Sequence, residues 1–105
     1  MIFAKKEIDM QALQAFWLWF EKKEDWIIKN IETNGMEVVN AIDQRLTPVF
    51  PYFKKEIEFQ LGFNNGRGEF FFYDLHNKNL HRDALIVSAH MPDTLKSRWS
   101  FIIEA

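Results

Sequence analysis

Three histidines, His76, His81 and His90, fall within one short stretch of the chain, and Asp74 and Asp83 lie beside them. Imidazole nitrogens and carboxylate oxygens are the donors that zinc and similar divalent ions take. His76 and His81 meeting across a loop, with Asp74 and Asp83 near, would make a chemically reasonable site. The spacing matches no metal motif, including the paired-histidine helix of metalloproteases. If residues 80–91 are helical, His81 and His90 point to opposite sides, because nine steps of about 100° come to half a turn. Such a pair cannot share a ligand. The plainer reading is three solvent-facing or capping histidines.

Carboxylates are plentiful but less informative. Glu56 and Glu58 share the polar face of an expected strand, where Lys54, Lys55 or Arg67 can offset their repulsion. General acid–base catalysis needs two carboxyls whose surroundings push their pKa values apart, and no pair here has that pattern. Glu24 stands out because it falls inside the apolar stripe of the first helix. It is either a salt-bridged acid at the core edge or a sign that the helix breaks in the charged run 21–25. The glycines of Gly62-Phe63-Asn64-Asn65-Gly66-Arg67-Gly68 sit between two strands instead of leading into a helix, so phosphate-cradling geometry is absent. Ser88, Ser97 and Ser100 occupy no nucleophile-elbow context. There are no cysteines, which excludes disulfide scaffolds, thiol nucleophiles and cysteine-ligated metal centres. No cofactor is implied.

Charge narrows the partner classes. Residues 1–53 carry 6 basic and 8 acidic groups, residues 54–105 carry 7 of each, and the net charge is −2. Neither half is a basic arm, so the footprint of a nucleic-acid binder is missing. Phe71 and Tyr73 on an open sheet face could stack bases, but Glu69 and Asp74 flank them. The longest apolar run, Ala15–Phe20, is far too short to span a bilayer, and residues 1–9 lack a signal-peptide core. We expect a cytoplasmic protein that engages neither nucleic acid nor membrane.

The elements that must position these residues follow from periodicity. Leu13, Phe16, Phe20, Ile27 and Ile31 fall within about 60° of one another on a helical wheel, which predicts a helix over 9–31. Asp9 is its N-cap, and Asn34-Gly35 is a stop in left-handed conformation. Trp19 and Trp26 lie off that stripe on a second edge, and Leu18 lies among polar residues. A second helix is expected over Met36–Leu46, ended by Pro48 and Pro51. Ile57, Phe59 and Leu61 alternate with glutamates and Gln60, predicting a strand over 55–61. Turn residues 64–68 and a strand over 69–74 complete a hairpin, with either Phe70 and Phe72 or Phe71 and Tyr73 facing inward. Residues 80–91 fit a buried strand or an amphipathic helix. Pro92 ends that element, Asp93–Lys96 is a short turn, and Trp99, Phe101 and Ile103 begin a strand that adds to the hairpin. The fold class is α+β in two layers, two N-terminal helices on a small, mostly antiparallel sheet, in the order α-α-β-β-α-β.

Phe16-Trp17-Leu18-Trp19-Phe20-Glu21, the strand Glu56–Phe59 with Gly68–Phe72, and Met91-Pro92 followed by Trp99-Ser100-Phe101 form one pattern. It resembles short bacterial domains of unknown function that open on an FWxWF helix and close on a tryptophan-led strand. The resemblance implies an α+β fold and a helix at 80–91. It implies no chemistry and transfers no catalytic residue.

The remaining clue is aromatic content: eleven Phe, four Trp and two Tyr among 105 residues. Trp19 and Trp26 are either core, in a helix flanked on two sides, or part of an exposed patch that docks a partner. Large rings are the usual anchors of such contacts. The leading expectation is a non-enzymatic interaction or adaptor module. It would act through Leu18, Trp19, Trp26, Phe71 and Tyr73 on a protein partner, or on a second copy as a homodimer. The alternative is a small metal-dependent hydrolase-like enzyme built on His76, His81 and nearby carboxylates.

Overall fold

The structure is a computed structural model that describes residues 6–105. Helix α1 spans Met10–Asn30, and the Asp9 carboxylate accepts the Ala12 N–H at 3.0 Å as its N-cap. It buries Leu13, Phe16, Trp17, Phe20, Glu24 and Ile27, and it runs unbroken through the charged segment 21–25. The expected left-handed stop at Asn34-Gly35 does not form. Asn34 has φ −131°, Gly35 opens the next helix, and the Asn30 amide caps the Trp26 carbonyl at 2.8 Å.

Helix α2 spans Gly35–Leu46 and buries Val38, Ile42 and Leu46, spaced by four so that they share one face. A 3-10 turn over Thr47–Val49 carries Pro48 and delivers Phe50 onto Phe72, with ring centroids 5.3 Å apart. The Asp9 N–H donates to the Val49 carbonyl at 2.9 Å, tying this turn to the start of α1.

Strand β1 is Glu58–Asn64 and strand β2 is Arg67–Tyr73, joined by Asn65-Gly66 at φ 53° and 78°. Two central residues with positive φ make a type I′ turn, whose twist matches that of the strands it joins. That turn sets the register from Asn64↔Arg67 to Glu58↔Tyr73, so β1 starts three residues later than its alternation predicts. Ile57 is buried but lies outside the ladder. Segment 80–91 is helical as far as Ala89. Helix α3 spans Lys78–Ala89, a short helix α4 spans Asp93–Lys96, and β3 covers Trp99–Glu104. β3 pairs with β2 in parallel, giving the order β1-β2-β3 with one antiparallel and one parallel ladder.

These registers place Phe59, Leu61 and Phe63, then Gly68, Phe70 and Phe72, then Trp99, Phe101 and Ile103 on one face. Phe59, Phe70 and Phe101 stack in a row across the three strands, at 5.4 and 5.3 Å between centroids. Each such pair adds about 0.5–1.5 kcal/mol beyond its burial. Helix α1 seats on this row through Phe16, edge-on to Phe70, and Trp17, edge-on to Phe101. Helix α3 joins the same layer, where the Trp17 indole N–H donates to the Val87 carbonyl at 3.0 Å. The helices thus cover one face of the sheet. Among the described residues no helix packs against the other.

Candidate functional site

Glu24 is a structural anchor. Its carboxylate accepts two hydrogen bonds from the Arg98 guanidinium, both at 2.7 Å, and one from the Trp99 indole at 2.8 Å. The Arg98 contact holds the carboxyl below its usual range, against the opposing push of burial. This pairing lets an acid sit in the apolar stripe of α1 without breaking the helix. Three hydrogen bonds commit this carboxylate to the joint between α1 and β3. Arg67 serves a similar end. It donates to Ser100 Oγ and to the Lys96, Ser97 and Trp99 carbonyls, closing α4 onto β3. It is therefore not the counter-charge for Glu56 and Glu58 that its place in the chain suggests.

The histidines separate. The chain turns after β2 through Leu75 and His76, both left-handed at φ 54° and 58°, with the Asp74 carbonyl accepting the Asn77 N–H at 2.8 Å. Asp74 Oδ1 accepts the His76 backbone N–H at 2.9 Å, and Oδ2 meets His81 Nδ1 at 2.7 Å. Burial pushes the Asp74 carboxyl up, but the His76 N–H and the His81 ring outweigh it and leave it below its usual range. Asp83 is 1% exposed and committed elsewhere, accepting the Tyr52 hydroxyl at 2.6 Å and Arg82 Nε at 2.9 Å. Burial, with Asp83 beside it, pushes the Tyr52 hydroxyl well above the usual phenol range. His90 sits at the far end of α3, its Nδ1 against the Ile86 carbonyl at 3.0 Å. Of the four side chains singled out for metal chemistry, only Asp74 and His81 are joined. Among the described residues no three His, Asp or Glu side chains converge on one point. The Asp74 carboxylate holds the His81 ring proton on Nδ1 and leaves Nε2 as an acceptor, but no hydroxyl among the described residues hydrogen-bonds to it.

The aromatic surface divides in two. Leu18 is 54% exposed and lines a shallow 230 Å³ groove with Gln14, Trp17, Glu21, His90 and Pro92. Trp19 and Trp26 are half-buried and pack against the core. Each carries a cation over its ring, Arg45 at 5.7 Å from Trp19 and Lys23 at 5.6 Å from Trp26. These three residues belong to the helical layer. Phe71 and Tyr73 point the opposite way, onto the sheet face that no helix covers, and Ile102 joins them through the Phe71↔Ile102 register.

That outer face has a distinct composition. Alternation along the three strands gives it Glu58 and Gln60, then Glu69, Phe71 and Tyr73, then Ser100, Ile102 and Glu104. Phe71, Tyr73 and Ile102 are half-buried, and the Tyr73 hydroxyl donates to Gln60 Oε1 at 3.1 Å. Three carboxylates frame the rings against one cation on the same side, Arg67, whose guanidinium is held on α4 and β3. Ile102 and Glu104 are site residues that inspection of the chain alone misses. Their alternation is visible there, but only the parallel β2–β3 register places Ile102 and Glu104 beside Phe71 and Tyr73.

Comparison of the chain with protein-family models, with curated proteins and with solved structures gives no match in any of the three. No helix is long and apolar enough to cross a membrane among the described residues.

Proposed function

We propose that this chain is a non-enzymatic protein-interaction module that receives a cationic segment of its partner on the uncovered sheet face. One observation carries the reading: Phe71, Tyr73 and Ile102 form an apolar strip on the sheet face that no helix covers among the described residues, and Glu58, Glu69 and Glu104 surround it. Aromatic rings bordered by carboxylates attract arginine and lysine in two ways. The ring faces take the cation, worth about 0.5–1 kcal/mol at an exposed site. The carboxylates add exposed ion pairs of about 0.2–1 kcal/mol each. Several such contacts give a weak, salt-sensitive complex, because exposed pairs are screened over about 8 Å at physiological ionic strength.

The test is an NMR titration of the labelled protein with an arginine-rich peptide and with its glutamate counterpart. The reading expects shifts confined to amides of Glu58, Glu69, Phe71, Tyr73 and Ile102 with the basic peptide, weakening as salt rises. It expects none with the acidic one. The double variant Phe71→Ser/Tyr73→Ser should keep its fold by circular dichroism and lose the shifts. Shifts spread evenly over all acidic residues, or unchanged in the double variant, would refute the reading.

A further inference from the structure

Among the described residues β1 is an edge strand, hydrogen-bonded to β2 alone. Natural edge strands are protected from pairing by proline, lysine, an inward charge or a bulge. β1 has none of these. Its sequence EFQLGFN holds one charge, at its first residue, and its ladder runs without a bulge from Glu58 to Asn64. Phe63 at its far end is 43% exposed, and Val39 of α2, which shares a surface hollow with Phe59, is 36% exposed.

The hairpin decides which backbone groups are free. Asn64 and Arg67 flank the two-residue turn and close it as a hydrogen-bonded pair. Pairing alternates along an antiparallel ladder, so even-numbered residues of β1 direct N–H and C=O toward β2. Phe59, Leu61 and Phe63 direct theirs to the open edge. Those three also carry their side chains on the helix-covered face.

We infer that β1 pairs antiparallel with β1 of a second copy about a two-fold axis at Leu61, joining two sheets into one of six strands. This register is the one that pairs all seven residues. It sets Leu61 against Leu61 of the second copy and Phe59 against Phe63, each as a hydrogen-bonded pair using the free edge groups. It sets Glu58 against Asn64 and Gln60 against Gly62, so no like charges face each other. Helix-side residues meet helix-side residues throughout, and the two helical layers remain on one side. The other edge, β3, lacks this property. It has six residues, so a two-fold axis on it leaves an end residue unpaired or sets inner-face side chains against outer-face ones. The inference uses the strand edge and is independent of the sheet-face reading above.

The test uses the absence of cysteine. In a hydrogen-bonded antiparallel pair the Cα atoms lie about 5.5 Å apart, inside the span a disulfide bridges. Leu61→Cys should therefore cross-link to a covalent dimer under mild oxidation. Asn64→Cys lies three residues from the axis, about 20 Å from its counterpart at about 3.4 Å per residue, and should cross-link at least tenfold less. On the unmodified protein, sedimentation equilibrium should show a monomer–dimer equilibrium. Hydrogen exchange should slow at Phe59, Leu61 and Phe63 amides as concentration rises, while Gln60 and Gly62 stay protected throughout. Phe63→Lys should shift the equilibrium toward monomer by tenfold or more. The Phe63 ring also meets Trp99 at 5.5 Å, so the dilute variant should melt lower while keeping its circular dichroism spectrum. A monomer at several hundred micromolar, equal cross-linking at both positions, or concentration-independent exchange at the three odd-numbered amides would each overturn the proposal.

Discussion

Gly68 carries the ring of Trp99. A Cβ added at this position would lie 2.5 Å from Cδ2 and Cε3 of Trp99 and 2.7 Å from Cζ3. Ordinary carbon–carbon contacts are about 3.5–4.0 Å, so Gly68→Ala requires the indole to move by about 1 Å. The ring is not free to move. It is 2% exposed, lies edge-on to Phe20 at 5.0 Å, and donates to Glu24 at 2.8 Å. A shift of that size takes the donor beyond about 3.5 Å, where the hydrogen bond is lost. Overpacking of this kind costs about 1–3 kcal/mol, and a hydrogen bond to a charged group contributes about 1.5–3 kcal/mol. Because Arg98 still satisfies the Glu24 carboxylate, we expect about 2–4 kcal/mol in total. For a domain of this size that is about 10–25 °C in melting temperature. Urea unfolding followed by tryptophan fluorescence measures it. Gly62→Ala is the control, since its Cβ would meet Phe71 Cε2 at an ordinary 3.6 Å, and it should stay within about 0.5 kcal/mol of the parent or exceed it. In a Trp99→Leu background, Gly68→Ala should lose about 1–2 kcal/mol of its effect through coupling. Equal midpoints for the two alanine variants would refute the reasoning, because glycine at 68 would then serve no close approach.

Other outcomes follow from the same contacts. Glu24 and Asp74 both have folded-state carboxyls held below their usual range, so each stabilises the fold above the unfolded pKa of about 4 and loses that contribution as pH falls through its folded value. Thermal melts from pH 7 to 2 should show a steep acid limb, and Glu24→Gln should flatten it while lowering stability at neutral pH. Leu75 is left-handed without the freedom of glycine. Leu75→Gly should be neutral or stabilising by up to about 1 kcal/mol, and Leu75→Val should destabilise by about 1–2 kcal/mol, both read by chemical denaturation. Trp17→Phe removes the indole donor from the Val87 carbonyl, which keeps the His90 N–H at 3.2 Å, and should destabilise by about 0.5–1.5 kcal/mol with loss of near-ultraviolet ellipticity.

Local signals predicted most of the elements. The stripe Leu13-Phe16-Phe20-Ile27 predicts α1, the alternation Phe59-Gln60-Leu61 predicts β1, and Asp9 marks the helix start. These work because helix and strand periods are backbone properties written into the spacing of apolar residues. The misplacements have physical causes too. β1 slid by three residues because a two-residue turn at Asn65-Gly66 sets register, and apolar alternation cannot see where a partner strand ends. The left-handed stop at Asn34-Gly35 was replaced by a side-chain cap from Asn30, a contact no propensity encodes. Residues 80–91 satisfied both periods, and helix won because Leu80, Ala84 and Val87 reach the core that α1 had already opened.

The candidate surfaces divide along the same line. Sequence alone identified Phe71 and Tyr73 as one possible outward pair and Leu18 as exposed, since both follow from periodicity. It also marked Glu24 as the acid inside an apolar stripe. Only tertiary structure decided that Phe70 and Phe72 turn inward, that Arg98 and Trp99 lie across from Glu24 some seventy residues along the chain, and that Asp83 belongs to Tyr52. It alone placed Ile102 beside Phe71 and, among the described residues, left β1 with an unpaired edge. Side-chain spacing along one element is a local quantity. Which strand lies beside which, and which face is left without a helical layer, depends on contacts between residues far apart in the chain, and no single segment carries that information.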